Sequence, residues 1–283
     1  MPSLPTISEK DEAKAEAKDK RLPKGSFDAP SEGAHDAATV DYLLELGDDA
    51  LILGQRLGEW CGHAASVEVD LSLANLGLDL IGQATNFLTA AARSSAAKDA
   101  DELAFHRDVL DFKNCLLVEQ PNGDFAQTMA RQLLFSTWQH MLLGRLAESR
   151  DETIAGIAAK SVKEVAYHRE LASDWVIRLG DGTEESARRM AEGLDWNWRF
   201  IPELFEVTED KQDLIERGIA VDPLGFESEY RDAIASVLGE AQLDVPDDQR
   251  PILGGRRGHH SEHLGHLLAV MQFLPRTYPD AEW

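Results

Sequence analysis

Positive charge is scarce in this chain of 283 residues: 28 lysines and arginines stand against 51 acids, a formal net charge of −23. Such a surface repels nucleic acid and anionic membranes, which sets both aside as partners, and suits simple solubility or a basic protein partner. Cysteine is nearly absent. Cys61 and Cys115 are the two, in no metal-ligand spacing. A disulfide framework needs more, so reduced thiols in a cytoplasmic protein are expected. No apolar run reaches the ~18 residues of a membrane span. Lys10 to Lys24 is densely charged where a secretory signal needs an apolar stretch, so no signal is expected there. The last absence is local. Phe125 to Ala147 (FAQTMARQLLFSTWQHMLLGRLA) reads as one long buried helix without a single Asp or Glu.

What is present is helical periodicity. Residues 1–38 form a tail rich in Ala, Lys, Glu and Asp, too poor in large apolar side chains to offset the entropy of ordering, and disorder is expected there. Residues 39–283 read as one domain. Leu43, Leu46, Ala50, Leu53, Leu57 and Trp60 make an inward stripe at spacings of three and four, and Val69, Leu73, Leu76, Leu80, Gln83 and Phe87 make a second. A shorter helix is predicted over Glu102–Leu117, then a turn at Glu119–Asp124, then the acid-free helix. Glu152–Leu179 carries Ile154, Ile157, Ser161, Val165, His168, Trp175 and Leu179 on one face. Thr183 is the expected N-cap of a helix running to Glu206. Further helices are predicted over Phe226–Leu238 and His259–Phe273. No period-two run points to a strand. The fold class is all-α: a ferritin-like four-helix bundle core with additional shorter helices packed around it.

Bundles of this kind can hold two irons with one Glu from each of two helices and a Glu-x-x-His pair from each of the other two, since i and i+3 share a face. The inward stripes test that chemistry. The first helix offers Ala50 at mid-stripe. The second offers Leu80 and Gln83 at i and i+3, the third has no acid, and the fourth offers Val165 and His168. One possible ligand of six remains, and a lone His168 reads as a core histidine. Asp79, Glu164 and Glu170 flank the stripes.

Three other features could carry chemistry. His259, His263 and His266 fall on one face of the last predicted helix with Glu262 alongside, a pattern that could take a transition metal or pack at an interface. Gly254, Gly255, Arg256 and Arg257 (GGRRG to Gly258) precede that helix as a candidate anion or partner site, or a plain basic loop. Trp196 and Trp198 are expected as packing or interface anchors, with His259 and His263 as further interface candidates.

LGEWCGHA (Leu57–Ala64), LANLGLDLIGQATNFL (Leu73–Leu88), LVEQPNGDFAQTMARQ (Leu117–Gln132), KEVAYH (Lys163–His168), GIAVDP (Gly218–Pro223) and GGRRGHHSEHLG (Gly254–Gly265) together resemble the C subunits of bacterial phenylacetyl-CoA epoxidases. The resemblance covers roughly Asp41 to Trp283. It implies a ferritin-like, non-catalytic structural subunit of a multicomponent monooxygenase of aerobic phenylacetate breakdown. The implied partners are a homologous catalytic A subunit holding the di-iron site, a small bridging B subunit, and a reductase carrying flavin and an iron–sulfur centre. No cofactor is implied in this chain. The A-subunit motif resembling DExGH stands here as Asp79-Leu80-Ile81-Gly82-Gln83. The one resembling KEExFH stands as Lys163-Glu164-Val165-Ala166-Tyr167-His168, and the first-helix Glu falls on Ala50. Two rival readings remain open. One is an independent metal-dependent oxygenase using His168, Glu164 and the C-terminal histidines. The other is a module gripping a CoA ester at Gly254–Gly258.

Overall fold

The computed structural model describes residues 35–279 and 281. Of the charged tail, residues 1–34 lie outside the described residues. His35 bonds Asp151 at 2.9 Å, and Asp36 accepts the Thr39 N–H to cap the first helix, so the last residues of that tail open the fold.

Four long helices build the core: α1 (Ala37–Gly58) and α2 (Val67–Ala92), then, after α3 (Ala100–Phe105) and α4 (Leu116–Glu119), α5 (Phe125–Leu146) and α6 (Glu152–Gly180). Around them lie α7 (Glu184–Trp198), α8 (Ile201–Leu204), α9 (Glu209–Glu216), α10 (Glu227–Glu240), α11 (Glu262–Met271) and α12 (Phe273–Thr277). Among the described residues there is no strand, and the all-α bundle stands as expected. Ser66, Asp124 and Asp151 cap α2, α5 and α6 by accepting the backbone N–H three residues on, satisfying amides with no partner inside the helix.

α1 packs on α2, and α5 on α6. A Cβ on Gly54 would sit 3.2 Å from the Gly77 carbonyl, so the α1–α2 crossing depends on small residues where the backbones meet. α5 is the central rod. Seventeen of its 22 residues are buried, which is why its sequence shows little amphipathy.

The structure breaks two predicted helices and delays the start of a third. Glu102–Leu117 is not one helix: α3 ends at Phe105, a 3-10 turn spans Val109–Asp111, and α4 starts at Leu116. The cause is long-range. The Lys113 N–H donates to Asp48 at 2.8 Å, the Cys115 N–H to Asp49 at 2.7 Å and the Leu116 N–H to Glu203 at 2.6 Å, so distant carboxylates take the amides a helix would use. The helix from Thr183 stops at Trp198, because Pro202 has no N–H to continue the ladder and its ring crowds the carbonyl four residues back. The last predicted helix begins at Glu262, not His259.

Candidate functional site

The bundle centre is the first candidate. Ala50, Leu80, Val165 and His168 have no measurable exposure, and Gln83 is 1 % exposed, so the five positions all face the interior. Gln83 links the helices: its amide donates to Glu164 at 3.1 Å and accepts from Gln139 of α5, also at 3.1 Å. His168 pairs through Nε2 with Asp79 at 3.1 Å. Burial lowers the His168 pKa against the pull of Asp79, and burial raises that of Glu164 against the Gln83 amide. Asp79 and Glu164, which flank the stripes in sequence, are thus drawn onto the edge of the centre as partners of His168 and Gln83.

These residues do not fit a di-iron centre. Three of the five positions are hydrocarbon, and Gln83 is a neutral amide already holding two partners. Among the described residues no group of three or more His, Cys, Asp or Glu side chains is placed to hold a metal ion. The C-terminal histidines do not form the expected face. His259 lies outside α11, which begins at Glu262, so it does not share a helical face with His263 and His266.

The second candidate, Gly254–Gly258, is an anion site whose anion is internal. The Gly254 and Gly255 amides donate to Oε1 of Glu203 at 2.8 and 2.7 Å. Arg256 turns inward, donating to Asp49 at 2.7 Å and to the Lys113 carbonyl at 3.0 Å, with Glu45 3.9 Å away. Arg257 pairs with Glu206. Gly254 has φ +139°, and a Cβ on Gly255 would collide with the Asn114 carbonyl, so these glycines serve close backbone packing. The Gly254, Gly255 and Arg256 donors that could have met an external phosphate bond inside the fold, and of the candidate residues only Arg257 stays exposed.

This cluster continues into a buried network that the sequence reading missed. Glu119, fully buried, accepts from the Asn114 side chain at 2.9 Å, the Ser261 N–H at 2.6 Å and His260 Nδ1 at 2.7 Å. His260 Nε2 lies 2.9 Å from the Phe112 carbonyl. Both ring nitrogens therefore face acceptors, which requires an imidazolium. Burial opposes that charge, but Glu119 and the carbonyl outweigh it and raise the His260 pKa. A cation favoured by the fold stabilises it fully below the ordinary histidine pKa of ~6.5, and that contribution is lost as pH rises through the elevated folded value. His260→Gln should therefore flatten the decline in stability between neutral and mildly alkaline pH, read by denaturant unfolding at several pH values. An unaltered slope would assign the titration to another group. The signal available in sequence was an acid inside an apolar run, as in LGDDALIL around Asp48-Asp49 and FIPELF around Glu203.

The interface candidates divide. Trp198 is buried and belongs to the core, whereas Trp196 is 40 % exposed. Trp196, His259 and His263 come together with Arg199 and Leu253 along a surface groove of about 310 Å³.

Three of the five central positions are hydrocarbon, and the Gly254, Gly255 and Arg256 donors bond inside the fold. The family profile described as "Phenylacetic acid catabolic protein" matches residues 27–283. The chain belongs to that family. It is 49 % identical over 242 residues to the C subunit of 1,2-phenylacetyl-CoA epoxidase from Escherichia coli (strain K12), covering 86 % of this chain and 98 % of that protein. Among the described residues of this family member no helix is long and apolar enough to cross a membrane.

Proposed function

We propose that this chain is a structural, non-catalytic subunit of a cytoplasmic phenylacetyl-CoA epoxidase complex in aerobic phenylacetate catabolism. One observation carries the reading: Ala50, Leu80 and Val165 put buried hydrocarbon where a bundle of this class would place carboxylate ligands. An unpaired buried carboxylate is costly without a metal, and apolar side chains relieve that cost while keeping the bundle closed. In this reading the chain pairs through helix faces with a homologous catalytic A subunit that holds the iron and the CoA ester. A small B subunit bridges such pairs, and a reductase with flavin and an iron–sulfur centre delivers electrons to the partner. The chain itself needs no cofactor. Its part is to hold the catalytic bundle and its substrate cleft in a competent shape.

Elemental analysis of the chain purified alone, with co-expression beside the catalytic partner, tests this. Expected are iron far below one atom per chain, co-purification of the two proteins, and loss of ring epoxidation when this chain is left out. Iron near two atoms per chain, or full epoxidation without it, would overturn the proposal.

A further inference from the structure

Five buried side chains in the middle of the bundle carry polar atoms with no hydrogen-bond partner in the protein. On α5 they are Gln132, through both its amide oxygen and its amide nitrogen, Ser136 through Oγ and Gln139 through Oε1. On α6 they are Ser161 through Oγ and His168 through Nδ1. None of the five residues is more than 6 % exposed.

Their placement is not scattered. Gln132, Ser136 and Gln139 follow at spacings of four and three, which puts them on one face of α5. That face looks into the bundle, because Gln139 on it reaches Gln83 of α2. Ser161 and His168 lie on the inward stripe of α6, two turns apart with Val165 between them. At 1.5 Å per residue, the α5 part of this column is about 10 Å long.

Magnitudes decide what such a column needs. A buried polar atom left unpaired costs ~1–3 kcal/mol. Six of them together would match the whole net stability of a typical domain, about 5–15 kcal/mol. A hydrogen-bonding occupant would relieve that cost. An apolar molecule would satisfy none of these atoms, and the side chains present do not make a metal site. Water satisfies them: a buried molecule makes about three hydrogen bonds and can donate and accept by turns along a mixed row of amides and hydroxyls. His168 fits the same logic. With Nε2 donating to Asp79, its Nδ1 is left as an acceptor facing the column.

We propose that the bundle centre binds a file of ordered water molecules, lined by Gln132, Ser136 and Gln139 of α5 and by His168 and Ser161 of α6. It meets solvent at Asp79 and Glu164. Asp79 is partly exposed while bonded to His168, and Glu164 is half-buried while bonded to Gln83, so each carboxylate has one side in the column and one toward the surface. Hydration in this reading fills the space that ligands and metal would fill in a catalytic bundle.

A crystal structure of the full chain, at a resolution that places waters and with data collected across the iron absorption edge, tests this. Expected are solvent peaks, without anomalous signal, within hydrogen-bond distance of most of the six unpartnered atoms. Direct side-chain pairing in a dry centre would overturn the hydration and leave the structural-subunit reading intact. An iron peak there would overturn both. In solution, water oxygen-17 relaxation dispersion should count fewer long-lived internal waters in Gln132→Met than in the parent chain. An unchanged count would refute the proposed file.

Discussion

Arg256→Ala should lower the melting temperature by roughly 10 °C. Arg256 and its partner Asp49 have side chains only 4 % and 2 % exposed, and the pair is 2.7 Å apart. Burial opposes the charge on Arg256, but Asp49 and Glu45 outweigh it and raise its pKa well above the ordinary value. Removing one partner leaves an uncompensated charge in the core, at a cost of ~3–5 kcal/mol. For a domain of this size each kcal/mol shifts the midpoint by about 2–4 °C. The damage should spread, because Asp49 also holds the Cys115 N–H and Arg256 holds the Lys113 carbonyl, so one substitution frees both sides of the 113–116 segment. Arg256→Lys should rescue little, since an ammonium lacks the planar fork that reaches the Lys113 carbonyl and Asp49 together. Thermal unfolding followed by circular dichroism reads the shift. A midpoint within a degree or two of the parent would mean the network adds little to the fold.

Leu80→Glu should destabilise the bundle by about 4 kcal/mol at pH 7.5. Leu80 has no measurable exposure, so the substitution forfeits ~1.5–3 kcal/mol of apolar burial and adds ~1–3 kcal/mol for a polar group without a ready partner. The deficit should depend on pH with a definite sign. Burial raises a carboxyl pKa, so the folded variant holds its proton where the unfolded chain has released it. Relative stability is then lost as pH rises above ~4.3, the ordinary glutamate value, until the folded carboxyl ionises. The variant should lie nearer the parent at pH 5 than at pH 8 in denaturant titrations. Iron content should not rise, because Ala50 and Val165 still offer no ligand. Equal stability at both pH values would take position 80 out of the core.

The parts of this molecule legible in its sequence are those set by local periodicity. The stripes of α1, α2 and α6 have periods that a core imposes, and reading off Ala50, Leu80, Gln83, Val165 and His168 needed only helical spacing. α5 was legible from what it lacks. What escaped was set by contacts between residues far apart. Nothing near Lys113 or Leu116 tells that Asp48 and Glu203 will claim their amides, so the segment read as a helix. Arg256 in a glycine-rich loop read as an external anion site because Asp49 lies 207 residues earlier. The acids that did the reorganising were visible only as charges inside apolar runs, a pattern that solvent-facing residues also produce.

That separation has a consequence in time. A ribosome adding ~5–20 residues per second finishes α1 and its two buried acids some 10–40 s before it makes the guanidinium that neutralises Asp49. Until then Asp49 is better left in water than enclosed, although Asp48 gains its own cation, Arg107, much earlier. The first helix to leave the ribosome is thus among the last to be fully sealed, and the residue that closes it over Asp49 comes from the final tenth of the chain.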